Sequence, residues 1–176
     1  MKKIVLVALA LLFIGINALH LGAKELSPEV EDGDDAGPPN PTILRFDTMA
    51  GVTPPYTGNT NPIRGINGGG LPWVISTGKG VVKPDGTLRV RVRGLVIPVA
   101  PFNGTNPATT FRAIVSCLSI DTAGNAVTTN VQTDPFPANT LGDSDIRAKV
   151  DLPHPCIAPI IFVASPGGAW FSATGF

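Results

Sequence analysis

The sequence predicts an all-β protein folded as an antiparallel β-sandwich of about seven or eight strands, and three observations carry that expectation. Apolar and polar residues alternate through several short runs, most clearly in TLRVRVRGLVI (87–97). Clusters of Gly, Pro, Asn and Asp separate those runs at fairly regular intervals. After residue 42, no segment sustains the 3.6-residue apolar period of a capped helix. Alternation marks a half-buried strand, because successive side chains point to opposite faces. Short strands broken by turns pack most simply as two facing sheets, and immunoglobulin-like connectivity is one option.

The first 23 residues stand apart from this pattern. Met1-Lys2-Lys3 precedes the apolar run IVLVALALLFIGI (4–16), the layout of a secretory signal peptide, with cleavage expected after Ala23. The run is short for a bilayer span, so no transmembrane segment is expected in the mature chain and its location is read as secreted, extracellular or cell-surface. Residues 24–42 read as an acidic, Pro/Gly-rich leader: KELSPEVEDGDDAG (24–37) holds six carboxylates against one lysine, a composition that favours a solvated segment. GPPNP (37–41) then forms a stiff break before a single domain at 43–176. That domain carries ten Lys/Arg against seven Asp and no Glu, too weak a basic excess to point to nucleic acid.

Within the domain, Pro84-Asp85-Gly86 reads as a hairpin turn joining Trp73–Val82 to Thr87–Ile97, since proline presets φ and glycine accepts positive φ. Leu88, Val90 and Val92 should face the core, and Arg89, Arg91 and Arg93 the solvent. TTFRAIVSCLSID (109–121) reads as a long strand with Phe111, Ala113, Val115 and Cys117 on one face. DTAGN (121–125) turns it back into AVTTNVQT, and SDIRAKVDL (144–152) alternates again. PIIFVAS (159–165) is apolar on both faces, as a central strand should be, and PGG turns it into a last strand, AWFSATGF. An outer-membrane barrel is excluded at the C-terminus, where Thr174, Ser172, Trp170 and Gly168 break the lipid-facing alternation expected before Phe176.

Cys117 and Cys156 are the only cysteines, and an even count in an exported chain favours a disulfide. Closing a loop of about 40 residues would stabilise the fold by roughly 4 kcal/mol in the chain-entropy model. Cys156 falls in the loop PHPCIAP, so the bridge should tie a loop to a core strand rather than join two facing strands.

Candidate sites are sparse. PIRGINGGGLPWVIS (62–76) contains four glycines within six positions, yet lacks the Lys-Ser/Thr of a phosphate loop and opens no helix. Its glycines are read as scaffold beside Trp73, with Arg64, Asn67 and Trp73 as a candidate ligand rim for a sugar or partner. Arg89, Arg91 and Arg93 form a candidate anion-binding stripe, against the alternative of a solvated face paired with carboxylates. His154 is the one histidine expected to survive export, which disfavours a multi-histidine metal site, and no G-x-S-x-G elbow supports a hydrolase. Calcium is the one cofactor entertained, over Asp121, Asn125, Asp143 and Asp145, whose spacing lacks the EF-hand pattern and suits ordinary turns.

NPIRGINGGGLPWVI (61–75), FRAIVSCLS (111–119) and HPCIAPIIFVASPGGAWFSATGF (154–176) together resemble a group of secreted bacterial proteins with no assigned activity. The resemblance covers nearly everything after residue 42. It implies an exported domain in which Cys117 and Cys156 recur, and supplies no ligand or catalytic residue. The expected function is a non-catalytic binding or matrix module at the cell surface or outside it, its partner a polysaccharide or another extracellular protein. A self-assembling structural subunit is the alternative, and a hydrolase ranks third.

Overall fold

Ten strands make up the computed structural model, which describes residues 41–174. The expected signal peptide and nearly all of the expected acidic leader lie outside the described residues. In chain order the strands are β1 (Leu44–Phe46), β2 (Met49–Gly51), β3 (Thr77–Val82), β4 (Thr87–Arg93), β5 (Thr110–Ile120), β6 (Ala126–Gln132), β7 (Phe136–Pro137), β8 (Ser144–Lys149), β9 (Ile157–Ala164) and β10 (Trp170–Thr174). They pair antiparallel into two open sheets, sheet A in the order β1-β3-β4-β8 and sheet B in the order β2-β10-β9-β5-β6, with β7 paired to one end of β5.

The alternation read from the sequence becomes the burial pattern of these strands. Leu88, Val90 and Val92 of β4 and Ile146 of β8 face inward from sheet A, while Phe111, Ala113, Val115 and Cys117 of β5 face inward from sheet B; all are buried. β9 lies between β10 and β5, and Ile161, Phe162, Val163 and Ala164 are buried on both of its faces. Between the sheets, Trp73 stacks on Phe171 at 4.0 Å, and Phe111 meets both rings edge-on. Aromatic side chains bury more area than any others, so this trio anchors one end of the core.

Pro84-Asp85-Gly86 turns β3 into β4 with Gly86 at φ +81°, and Thr77↔Arg93 through Val82↔Leu88 set the register. The pairing resumes beyond a break at Gly94, where Val74 and Val96 exchange backbone hydrogen bonds. The chain leaves sheet B after β7, forms β8 at the edge of sheet A, and returns as β9 beside β5. β4 beside β8, facing β5-β9-β10, has the B–E and C–F–G adjacency of an immunoglobulin sandwich.

Strand number exceeds the expectation because β1, β2 and β7 have three, three and two residues, too few to show a period. β1 and β2 flank Asp47-Thr48, where the chain passes from sheet A to sheet B. Cys117 and Cys156 form a disulfide with Cα atoms 4.9 Å apart. Cys156 immediately precedes β9, where the β5–β9 register shifts between Ser116↔Ile160 and Leu118↔Ile157. The bridge therefore ties neighbours of one sheet at an irregularity, as its loop position suggested, and does not cross between sheets.

Candidate functional site

The outer face of sheet A concentrates positive charge. Cross-strand register puts Arg45, Val81, Arg89 and Arg147 in one row across all four strands, and Lys79, Arg91 and Asp145 in the next. Arg93 opposite Thr77 and Lys149 opposite Thr87 extend the same face toward its two ends. Seven of the domain's ten Lys/Arg thus share one side of one sheet. A shallow hollow of about 380 Å³ lies over its centre, lined by Arg45, Lys79, Arg89, Arg91 and Arg147 together with Asp47 and Asp145.

Asp145 divides these cations into two groups. Its carboxylate accepts hydrogen bonds from Arg93 Nη2 at 2.9 and 3.1 Å and from Arg91 Nε at 3.2 Å. The Arg93 contact, with Arg91 adding to it, holds the Asp145 carboxyl below the ordinary aspartate range. Arg93 also donates through Nη1 to the Val92 and Ser144 carbonyls. Among the described residues, Arg45, Lys79, Arg89, Arg147 and Lys149 make no ion pair. Of the three arginines of the expected stripe, Arg91 and Arg93 are engaged with Asp145, the carboxylate pairing weighed as the alternative. Arg89 alone of the three is unpaired, and its neighbours are cations of β1, β3 and β8.

The candidate rim of Arg64, Asn67 and Trp73 is not assembled. Trp73 is 3% exposed, its ring packed in the aromatic trio, so it offers no stacking face to solvent. Arg64 is a strut: its guanidinium donates to the Ser116 and Ala158 carbonyls at 3.0 and 2.7 Å, and its own carbonyl accepts from Asn130 Nδ2. Asn67 is exposed beside a hollow of about 390 Å³ that includes Asn130 and Gln132, while its carbonyl accepts from the Trp170 N–H. These bonds lay the glycine-rich segment across the outer face of sheet B. Gly65 takes φ +78°, and a Cβ on Gly68 would collide with the Tyr56 carbonyl. Gly65 thus supplies a positive φ and Gly68 a close backbone approach, the two scaffold roles expected of these glycines.

The four candidate calcium ligands fall on different sheets. Asp121 accepts from the Ala123 and Asn125 N–H groups and from the Asn125 side chain, closing the β5–β6 turn. Asp143 accepts from the Gly94 N–H beside sheet A, and Asp145 is held by arginines. Asp121 and Asn125 thus lie together in one turn and Asp143 and Asp145 beside the other sheet, each aspartate held by protein partners. Thr87 lowers the Asp85 pKa and Asn125 that of Asp121 through the same kind of turn hydrogen bond. His154 is exposed over a hollow lined by Asp85 and Asp151 but by no serine.

Sequence reading missed Arg45, Lys79, Arg147 and Lys149 as members of a common face. Arg147 and Lys149 were visible as the polar positions of SDIRAK; what sequence alone lacks is the strand order that sets them beside Arg89. No protein-family model, curated protein or solved structure matches the chain.

Proposed function

We propose that this is a secreted, non-catalytic module that binds an anionic extracellular polysaccharide through the outer face of sheet A. One observation carries the reading: Arg89 lies directly opposite Arg147, with Arg45 in the same row and no carboxylate between them. Like charges opposed across a ladder destabilise a sheet by a few tenths of a kcal/mol. A row of arginines that works against its own fold is best explained by an external anion. Arginine forks suit carboxylate and sulfate groups, and rows spaced about 7 Å apart on a flat sheet suit an extended polymer better than a small enclosed ligand. Export is read from the N-terminal run 4–16, and the Cys117–Cys156 bridge is compatible with it.

The test is retention on immobilised polygalacturonate at low ionic strength, with dextran as the uncharged control. The native chain should be retained on the first only, and an Arg89→Glu, Arg147→Glu variant should pass through both. Equal retention of the native chain and the variant would reject the reading.

A second reading, self-assembly by strand addition, rests on β6. This seven-residue edge strand, AVTTNVQ, has no charge or proline to guard it, and Leu118, Ile120 and Ile157 are exposed close by at 42%, 52% and 53%. Unguarded edges of this kind pair with other chains. Light scattering across a concentration series should then show growth that Thr128→Lys abolishes; a native chain that stays monomeric would reject it.

A further inference from the structure

We propose that β6 pairs with β6 of a second copy of this chain about a two-fold axis at Thr129, giving a closed dimer in which sheet B continues from one copy into the other. The inference rests on the reading of β6 as an edge that pairs with other chains, and adds to it the partner and the register.

Backbone direction defines what the edge offers. The Asp121 N–H donates to the Asn125 carbonyl at one end of the β5–β6 ladder, and the Thr133 N–H donates to the Ala113 carbonyl at the other. Between them the register runs unbroken from Ile120↔Ala126 to Ile114↔Gln132. Hydrogen-bonded and non-hydrogen-bonded residues alternate along an antiparallel pair, so Val127, Thr129 and Val131 bond back to β5. The N–H and C=O groups of Ala126, Thr128, Asn130 and Gln132 point to the open edge, and among the described residues no other segment bonds to them.

The side chains of β6 are complementary to themselves. In an antiparallel pair centred on Thr129, Thr128 lies opposite Asn130 of the second copy and Ala126 opposite its Gln132. These are the residues whose backbone groups point outward, and each such pair exchanges two hydrogen bonds. Thr129 then meets its own counterpart and Val127 meets Val131, at the non-hydrogen-bonded positions where Cα atoms stand about 4.5 Å apart and side chains are closest. Val127, Thr129 and Val131 share the face of Ser119, Cys117 and Val115 and are only half-buried in the single chain. Val–Val and Thr–Thr pairs across a ladder stabilise a sheet, so a second copy completes the cover that this face lacks. No residue of β6 is charged, and two identical edges meet without repulsion.

The other edges do not offer this match. An open filament would need β6 to pair with a different edge of the next copy, but β1 and β2 have three residues each and β8 carries Asp145, Arg147 and Lys149. The seven residues of β6 find an equal, uncharged partner in β6 itself. Pairing within a sheet puts the two-fold axis normal to it, so the outer faces of both copies of sheet A turn to the same side, where one long anion can meet both. Seven residues a side is well short of the roughly 20–30 of a standard interface, so the dimer should be weak and dependent on concentration.

Sedimentation equilibrium of the purified chain from about 10 μM to about 1 mM should show the mass rising from one chain toward two and no further. Thr128→Pro removes an N–H that points to the open edge and none that bonds to β5, so it should keep the fold and remain monomeric throughout. Register is read separately by mixing Val127→Cys and Val131→Cys chains, oxidising them and mapping the disulfides by mass spectrometry. Links between positions 127 and 131 should form several-fold more in the mixture than links within either variant alone, because like positions stand about 13 Å apart along the strand. A native chain that stays monomeric to the top of the series would overturn the proposal together with the self-assembly reading. Masses climbing past two chains, or equal linking within each variant alone, would overturn the two-fold pairing and leave strand addition standing. A Thr128→Pro chain that dimerises like the native one would remove β6 from the interface altogether.

Discussion

Arg147 offers a residue-level separation of folding from binding. Replacing it with Glu puts a carboxylate opposite Arg89 and turns a repulsive pair into an attractive one. Arg147→Glu should raise the urea midpoint slightly, by roughly 0.2–1 kcal/mol in stability, while weakening retention on polygalacturonate. A residue kept for structure would show the opposite sign in the first measurement. Gly68 makes the converse case, because its backbone touches the Tyr56 carbonyl; Gly68→Ala should cost about 1–3 kcal/mol through overpacking and leave the cationic face unchanged. The carboxylates respond to pH in one direction. Asp145, Asp85 and Asp121 all have lowered pKa values in the fold, so their contribution is present above the unfolded value of about 3.9 and is lost as pH falls through the lower folded values. Thermal melts should therefore fall modestly below about pH 4, and Asp145→Asn should flatten that fall in part.

Elements differed in how far the sequence revealed them, for physical reasons. β4, β5 and β8 are long enough for alternation to mark a buried side, with Phe111, Ala113, Val115 and Cys117 on the face that their spacing implies, whereas β9 is legible from its unbroken apolar run. Three-residue strands such as β1 and β2 have no period to read; pairing to β3 and β10 creates them. The glycine-rich segment was legible as scaffold, but which surface it covers depends on long-range bonds from Arg64 to Ser116 and Ala158. Trp73 was ambiguous for a related reason, since one aromatic between turns suits a rim or a core equally until Phe171 is placed against it. The disulfide acts at this scale too. It closes a separation of 39 residues, so reduction should lower stability by about 4 kcal/mol in the chain-entropy model, measured as the difference between oxidised and reduced urea unfolding curves.

At the scale of the molecule, the two sheets turn different outer surfaces to solvent. Sheet B is overlaid by the segment around Arg64–Gly69 at one end and leaves Leu118, Ile120 and Ile157 exposed at the other. The outer face of sheet A is cationic, and among the described residues its ion pairing is limited to Arg91 and Arg93 with Asp145. Net charge gave no hint of this, because the whole chain sums to zero while the topology sorts its charges onto one side. A flat array of exposed cations should bind through screened electrostatics, and each counterion displaced steepens the salt dependence. The most direct measurement is the polygalacturonate affinity of the purified chain across a NaCl series, beside that of the Arg89→Glu, Arg147→Glu variant. The expected result is a steep loss of affinity with salt for the native chain, with weaker binding and a shallower slope for the variant. Salt-independent binding, or identical slopes for the two proteins, would contradict the assignment of function to the face of sheet A.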